Sequence, residues 1–540
     1  MDERKPWWTN PVVLFGVALA GNLVVALANH HFPYVDVTNH LARYALLDRF
    51  WFGTPPAYIR ARLAPGPYMG LDILGVTLVH LFGPAIAVKV MAALVVIAFP
   101  VGLWILLSAV GREGGVDIRL WALAAVPLGL GYFPLTSYMN YVVGIGALLA
   151  WLGLWWPARE HASTGRLIAL FVTAGLLFLI HLSTPLMMLV VVWTDWLFAG
   201  PGHRMPRLKT ALVATAGVLV VALWSWVMIP PEPADVNHAM DIAFKTPWVK
   251  LRNFLSPFFV FSFPQMAVTL AAYIVAVVLF LRTNRPDRRW NTLLWAAGAF
   301  CLLYLIFPAN TPGSGYLDMR WLMPMYLLPF AAAWRGGKRP TTGVALTLVA
   351  CALVNAATMW AATRRVDREL DDYATVLNGL PPGRRLLPLV ADSLRHGLRI
   401  APYRHFAFWY VVDRGGRVPT LFNYAGDGGG APRQAFMSHF IETGHLYTLP
   451  PEWGTTVFTP LDWTAIDRDY DYIIVAGRDP RVVGMVEPHA RQLTRVGDIT
   501  VYQPGEAPEL NAPTTRPSGS PIAQAGGRGT APDTSQRAVP

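Results

Sequence analysis

Along the chain, apolar residues gather in long runs separated by short polar stretches, a pattern unlike the alternation of a soluble sheet. A helix that crosses a bilayer needs roughly 17–25 mostly apolar residues. Such spans are predicted at about 11–30, 85–110, 120–135, 138–156, 167–182, 184–199, 210–229, 265–282, 291–308, 320–334 and 341–362. Several are short, as suits helices interrupted by proline or glycine inside a bundle. The apolar run 68–82 is ambiguous and is taken as a juxtamembrane or re-entrant piece, which leaves eleven spans; a twelfth would force another segment to change.

Composition agrees with a polytopic α-helical membrane protein. Of the 540 residues, 54% are apolar and only 14% charged, against about a quarter charged in soluble domains. The formal charge of +11 would suit nucleic acid, but the basic residues sit in short loops, which argues against that partner and for the positive-inside rule. Arg4 and Lys5 precede the first span. Arg204, Arg207 and Lys209, then Arg282, Arg285, Arg288 and Arg289, then Arg335, Lys338 and Arg339 fill three loops, each two spans from the next. This predicts a cytoplasmic N-terminus in the inner membrane. The loops 31–67 and 230–264, and everything after about 363, then face the exterior. Ala26-Leu27-Ala28 would alternatively end a cleaved signal peptide; residue 36 emerges outside in either case. Cys301 and Cys351 lie in apolar segments, so no disulfide framework is expected.

Hydrophobicity falls after Ala362. Residues 1–362 are therefore taken as the transmembrane domain and 363–505 as a small extracytoplasmic α/β domain. Residues 506–540, poor in bulky apolar side chains, are taken as a disordered tail. Helical spacing covers 366–377, strands are predicted at Arg385–Val390, Tyr470–Ala476 and Ile499–Tyr502, and 405–414 reads as a helix stopped by Gly415-Gly416. Gly426–Gly430 has the wrong spacing for a dinucleotide site and is taken as a loop.

Candidate chemistry concentrates just beyond the first span. From Val37 to about Phe50 the pattern is that of an amphipathic interfacial helix. Asp36, His40 and Arg43, at i, i+4 and i+7, share one face. Asp36 is either a functional carboxylate or merely the helix cap; Arg43 either meets a ligand or snorkels to lipid phosphate. Arg60 and Arg62 in the same loop, and Lys250 and Arg252 in the second, would attract a phosphate or anchor at the interface. Asp235, His238 and Asp241 are metal-ligand candidates or a solvated loop edge. Asp318 and Arg320 stand at the mouth of a span, as functional groups or a local ion pair. His181 is a site residue or a core histidine satisfied by backbone.

A first span followed at once by an outer loop with an acidic residue resembles the GT-C superfamily of membrane glycosyltransferases. The stretches that carry the resemblance are Asp36-Val37-Thr38-Asn39-His40-Leu41-Ala42-Arg43, Tyr138-Met139-Asn140-Tyr141-Val142-Val143-Gly144-Ile145-Gly146, Asp318-Met319-Arg320 and Tyr470-Asp471-Tyr472-Ile473-Ile474-Val475. The resemblance implies an inverting transferase that takes a sugar from a polyprenyl-phosphate donor at the bilayer surface and gives it to an extracytoplasmic acceptor. Asp36 would be the catalytic acid-base residue, assisted by His40, while Arg43, Arg60, Arg62, Arg320 and Asp318 would bind donor or phosphate. Members commonly show a paired acidic signature, DE or DxD, where this chain has Asp36-Val37-Thr38; use of a divalent metal stays open, and no cofactor is otherwise implied. A transporter or lipid-handling protein would instead place ionisable groups at mid-membrane. A non-catalytic assembly protein would use the outer domain as a binding module.

Overall fold

The computed structural model describes residues 9–31, 34–61, 66–136, 138–228, 242–259, 262–284, 291–310, 315–334, 338–391, 401–419, 440–442, 446–447, 449 and 458–505. Arg4, Lys5, Asp235, His238, Asp241, Arg285, Arg288, Arg289, Arg335, the loop Gly426–Gly430 and the tail 506–540 lie outside the described residues.

Six described helices are both long and apolar enough to cross a bilayer: Pro11–Ala28, Pro84–Gly114, Met139–Ala158, Pro201–Met228, Phe263–Thr283 and Thr342–Gly379. Shorter apolar stretches are Met69–Phe82, Arg119–Leu130, Thr164–Ile180, Ser183–Leu197 and Thr292–Ile306. Their outward faces stay apolar: Ile168, Val172 and Leu176, one turn apart, are all exposed, as lipid contact requires. The chain is a multi-pass membrane protein. Polar residues begin several helices by accepting a backbone N–H, as Asn10, Ser163, Asn291 and Thr341 do.

Two expected spans are not regular helices. Region 120–135 is built from the 3₁₀ turns Arg119–Ala125 and Pro127–Leu130 and the single turn Tyr132–Leu135. Region 320–334 is divided among Leu317–Arg320, Leu322–Leu327 and Leu328–Trp334. Irregular backbone is tolerated at this depth only where protein covers it, and Trp121, Val126, Leu130, Leu322 and Leu327 are indeed fully buried. The first helix is built into the bundle, with Asn22 Nδ2 donating to the Val126 carbonyl at 2.8 Å.

Helices Pro84–Gly114 and Met139–Trp155 approach closely through small residues. A Cβ on Gly102 would lie 2.4 Å from the Gly146 carbonyl oxygen, whereas one on Gly343 would meet nothing within 4 Å. Gly102→Ala is therefore expected to cost about 1–3 kcal/mol, read as a lower thermal midpoint in detergent, with Gly343→Ala as the neutral control. Equal midpoints for the two variants would contradict this packing.

Buried charges gather at one end of the bundle. Arg159 pairs with Glu113 (2.8 Å), and Arg207 with Glu160 (2.7 Å) and Asp195 (2.8 Å); Thr292 donates to Asp195 at 2.6 Å. At the other end, the Tyr141 hydroxyl donates to the Arg320 carbonyl at 2.6 Å. Tyr141 and Trp156, whose ring lies 3.4 Å below the Arg159 guanidinium, terminate the same helical rod roughly 20 Å apart.

The last apolar helix does not stop where hydrophobicity falls. Thr342–Gly379 runs 38 residues without a break, about 57 Å, so the helical spacing at 366–377 continues the span. Beyond it, β2 (Leu386–Val390), β4 (Tyr472–Ala476), β6 (Ile499–Pro504) and β5 (Ala490–Val496) form one sheet in that order. The β2–β4 pair is parallel and the others antiparallel. Leu387, Leu389, Ile473 and Val475 fill a separate core with Ile466 and Tyr502. Leu386, Ile474 and Val501 face the main core instead, as strand alternation dictates. The expected helix 405–414 is shorter, Phe408–Arg414, ended by Gly415 at φ +65°. A separate pair, β1 (Ile59–Ala61) with β3 (Phe440–Glu442), is antiparallel and ties the segment after helix Val37–Phe52 to the C-terminal region.

Candidate active site

Asp36 occupies the N-cap position of helix Val37–Phe52, yet its side chain makes no capping hydrogen bond. The capping explanation for this acid is thereby removed. Its Oδ1 instead lies 3.3 Å from His405 Nε2, and 21% of the side chain stays exposed. Burial pushes the carboxyl up to about 7, against the pull of the Arg404 guanidinium. Burial, with Arg404 and His40 adding to it, holds His405 down at about 3. At neutral pH the contact is therefore between a carboxyl group near its midpoint and an uncharged imidazole.

The helix behind Asp36 is not a free surface helix. Every residue from Val37 to Leu47 is buried, which corrects the expectation of a free polar face. One side packs on helix Met69–Phe82, where a Cβ on Gly75 would strike the Tyr44 ring. The other is covered by the segment 401–416: Thr38 donates to the His405 carbonyl (2.6 Å), Arg49 to that of Val412 (3.0 Å) and Tyr58 to that of Gly416 (3.0 Å). Amphipathic spacing alone cannot distinguish a helix lying on lipid from one roofed by a distant part of its own chain.

Arg320 shares an electrostatic neighbourhood with Asp36. Tyr138 is near enough to feel the charges of both, and Tyr132 also senses Asp36. The Arg320 Nη2 donates to the Gly315 carbonyl at 3.3 Å, while its buried Nε has no hydrogen-bond partner. Its Nη1 is 3.5 Å from His181 Nε2. His181 Nδ1 lies 2.7 Å from the Ser183 hydroxyl and 3.2 Å from that residue's backbone nitrogen; a ring carrying its hydrogen on Nδ1 accepts from Arg320 at Nε2. The donor left open here is the buried Arg320 Nε, which an anion would satisfy. Tyr68 adds a hydroxyl within reach of Arg320 and Arg43; burial raises it above the ordinary tyrosine value while both cations pull it down.

Backbone strain converges on the same place. Tyr68 (φ 80°) and Tyr316 (φ 56°) are the two described non-glycine residues in the left-handed region. The Tyr68 ring packs edge-on against His181, centroids 5.1 Å apart, and Tyr316 approaches Tyr138 at 6.4 Å. Such conformations persist where surrounding structure enforces them and cluster at functional sites.

The remaining predicted residues fall in different places. His40 lies one turn along, its ring stacked near Tyr44. Arg43 is only 2% exposed and pairs with buried Asp72 at 2.5 Å, which sets it between two helices rather than at a lipid-facing surface. Asp318 is fully buried against Lys245 (3.1 Å). Arg60 belongs to β1, opposite Ile441, and Arg62 lies outside the described residues. Lys250 donates to the carbonyls of Tyr304, Leu305 and Phe307 at 2.7–2.8 Å, so it completes a helix C-terminus rather than waiting for phosphate. Among the described residues, Asp36 belongs to no cluster of three potential metal ligands. Sequence inspection misses His405, Arg404, Lys245 and Tyr68; the charged pair inside the aromatic run Tyr403–Tyr410 is the signal that points to the first two.

No protein-family model matches the chain, and no curated protein sequence does either. Two solved structures are similar in fold, ArnT from Cupriavidus metallidurans in the apo state and ArnT from the same organism bound to undecaprenyl phosphate. The TM-scores are 0.53 and 0.52, each at 13% identity, covering 91% of this chain and 97% of that one. At that identity the likeness is one of fold. The chain thus shares the fold of ArnT.

Proposed function

We propose that the protein is a membrane glycosyltransferase of the GT-C type, which takes a sugar from a polyprenyl-phosphate donor and transfers it to an extracytoplasmic hydroxyl acceptor. The observation that carries this is the pairing, across Tyr138, of a carboxyl near its midpoint with the Arg320 guanidinium, whose buried Nε has no hydrogen-bond partner. The ArnT structure with undecaprenyl phosphate supports the choice of donor. In the bilayer, the end holding the Arg159–Arg207 charge network faces the cytoplasm of the inner membrane, and the Asp36 end, with residues 363–505 as an outer domain, faces out.

In this reading Asp36 accepts the acceptor's hydroxyl proton as its oxygen attacks the anomeric carbon. The bond from that carbon to the phosphate oxygen breaks with its electrons, and polyprenyl phosphate departs. Arg320, with the Tyr68 hydroxyl, stabilises the charge gathering on the leaving phosphate, and His181 holds the guanidinium in place. His405 orients the carboxylate, and Lys245, anchored on Asp318, closes the outer rim. A single displacement, with attack on the face opposite the departing phosphate, inverts the anomeric centre.

A base must be ionised to act, so kcat/KM is expected to rise with pH through about 7 and level off above it. Arg404 pulls the Asp36 pKa down; Arg404→Gln should move that midpoint upward. Transfer from a polyprenyl-phosphate sugar in proteoliposomes gives the profile. A flat response between pH 5 and 9, approximate limits that bracket the midpoint, would remove Asp36 as the base.

A further inference from the structure

We propose that His30, His31 and Asp371 form a binding site for a divalent transition-metal ion of the zinc class, tying the turn before Asp36 to the extramembrane part of the long helix. His30 Nδ1 lies 2.7 Å and His31 Nε2 3.5 Å from Asp371 Oδ1, and one ligand atom from each residue falls within 4.8 Å of the others. Tetrahedral zinc, with bonds of about 2.1 Å, separates its ligand atoms by about 3.4 Å. The His31–Asp371 separation already fits, and a small outward turn of His30, whose side chain is 74% exposed, completes the set with solvent as fourth ligand.

His31 points to a ligand independently of that cluster. Its side chain is 10% exposed, and neither ring nitrogen has a hydrogen-bond partner. Buried polar atoms are rarely left so. The ring is held edge-on between Phe406 (5.1 Å) and Trp409 (5.7 Å), and it lines a cavity with His30, Lys89 and Asp413. Asp367, one turn before Asp371, accepts the backbone N–H groups of His30 (3.0 Å) and His31 (2.6 Å). That fixes two consecutive side chains toward the same helix. Their rings lie 4.3 Å apart, a convergence that consecutive residues do not reach in regular structure. Lys89 is the opposing charge, but its ammonium is turned to the carbonyls of Leu27 and Asn29. Paired imidazoles with one carboxylate favour a borderline cation over magnesium or calcium, which prefer all-oxygen shells.

The inference does not depend on glycosyl transfer, and its test reads metal directly. Full-length protein purified without a histidine tag, stripped by chelator and returned to nanodiscs, is titrated with Zn²⁺ and with Co²⁺. The expected results are one ion per chain, the visible absorption of four-coordinate Co²⁺, and a raised thermal midpoint with Zn²⁺. His30→Ala, at an exposed side chain, and His31→Ala should each weaken binding by about 100-fold or more, while the exposed-site control His161→Ala should bind as the parent does. Parent-like affinity in both ligand variants would overturn the site, as would no saturable Zn²⁺ binding, or Mg²⁺ binding equal to Zn²⁺. Because the His30 side chain is largely exposed, its variant separates lost coordination from lost folding.

Discussion

Asp36→Asn is expected to lower the rate of sugar transfer by about 10²–10⁴-fold while leaving expression and membrane insertion unchanged. The amide matches the carboxylate in size but cannot take a proton from the acceptor. The side chain makes no helix-capping hydrogen bond, so no helix start is lost with it, and the contact at His405 Nε2 can be kept by the amide oxygen. The decisive measurement is single-turnover transfer in proteoliposomes supplied with saturating donor. Near-parental rates there would show that some other group accepts the proton, and the proposed chemistry would have to be abandoned. Donor binding should be only mildly affected, because the proposed phosphate contacts are made by Arg320 and Tyr68 and not by Asp36.

Arg320→Ala is expected to reduce kcat/KM by about 10²–10³-fold, the scale found when one donor is removed from a developing anion. The bond from Tyr141 goes to the Arg320 main-chain carbonyl and survives the substitution, so the surrounding helices should hold. Arg320→Lys restores charge without the planar fork and should recover part of the loss, chiefly in KM. If Arg320→Ala changed neither parameter, the guanidinium would have no part in holding phosphate.

The polytopic helical class was legible because long apolar runs have few other physical uses. The proposed base, Asp36, is picked out in the sequence only because a carboxylate directly after a span stands out against the apolar background. Helix breaks were not legible. Regions 120–135 and 320–334 are apolar enough for spans, but whether such a run winds regularly depends on neighbours that cover its carbonyls. Strand β5 escaped notice because five of its seven residues are exposed and it shows no apolar alternation. His405 was least accessible of all. It meets Asp36 across 369 positions of chain, and no local spacing encodes a contact of that range. Its arrival changes what a truncation tests: deleting everything after residue 363 removes His405 and Arg404 together with any partner-binding surface.

The unbroken helix Thr342–Gly379 acts as a vertical ruler. Its lower turns sit among apolar neighbours, and its upper turns present Asp367 and Asp371 to His30 and His31. One residue added near Ala362 would lift the upper turns about 1.5 Å and swing them through roughly 100°. Both carboxylates would then face away from the histidines, and the strand-bearing part of the chain would be re-aimed with them. The height of the candidate site above the bilayer is thereby written into helical phase, and insertions there should be far less forgiving than substitutions.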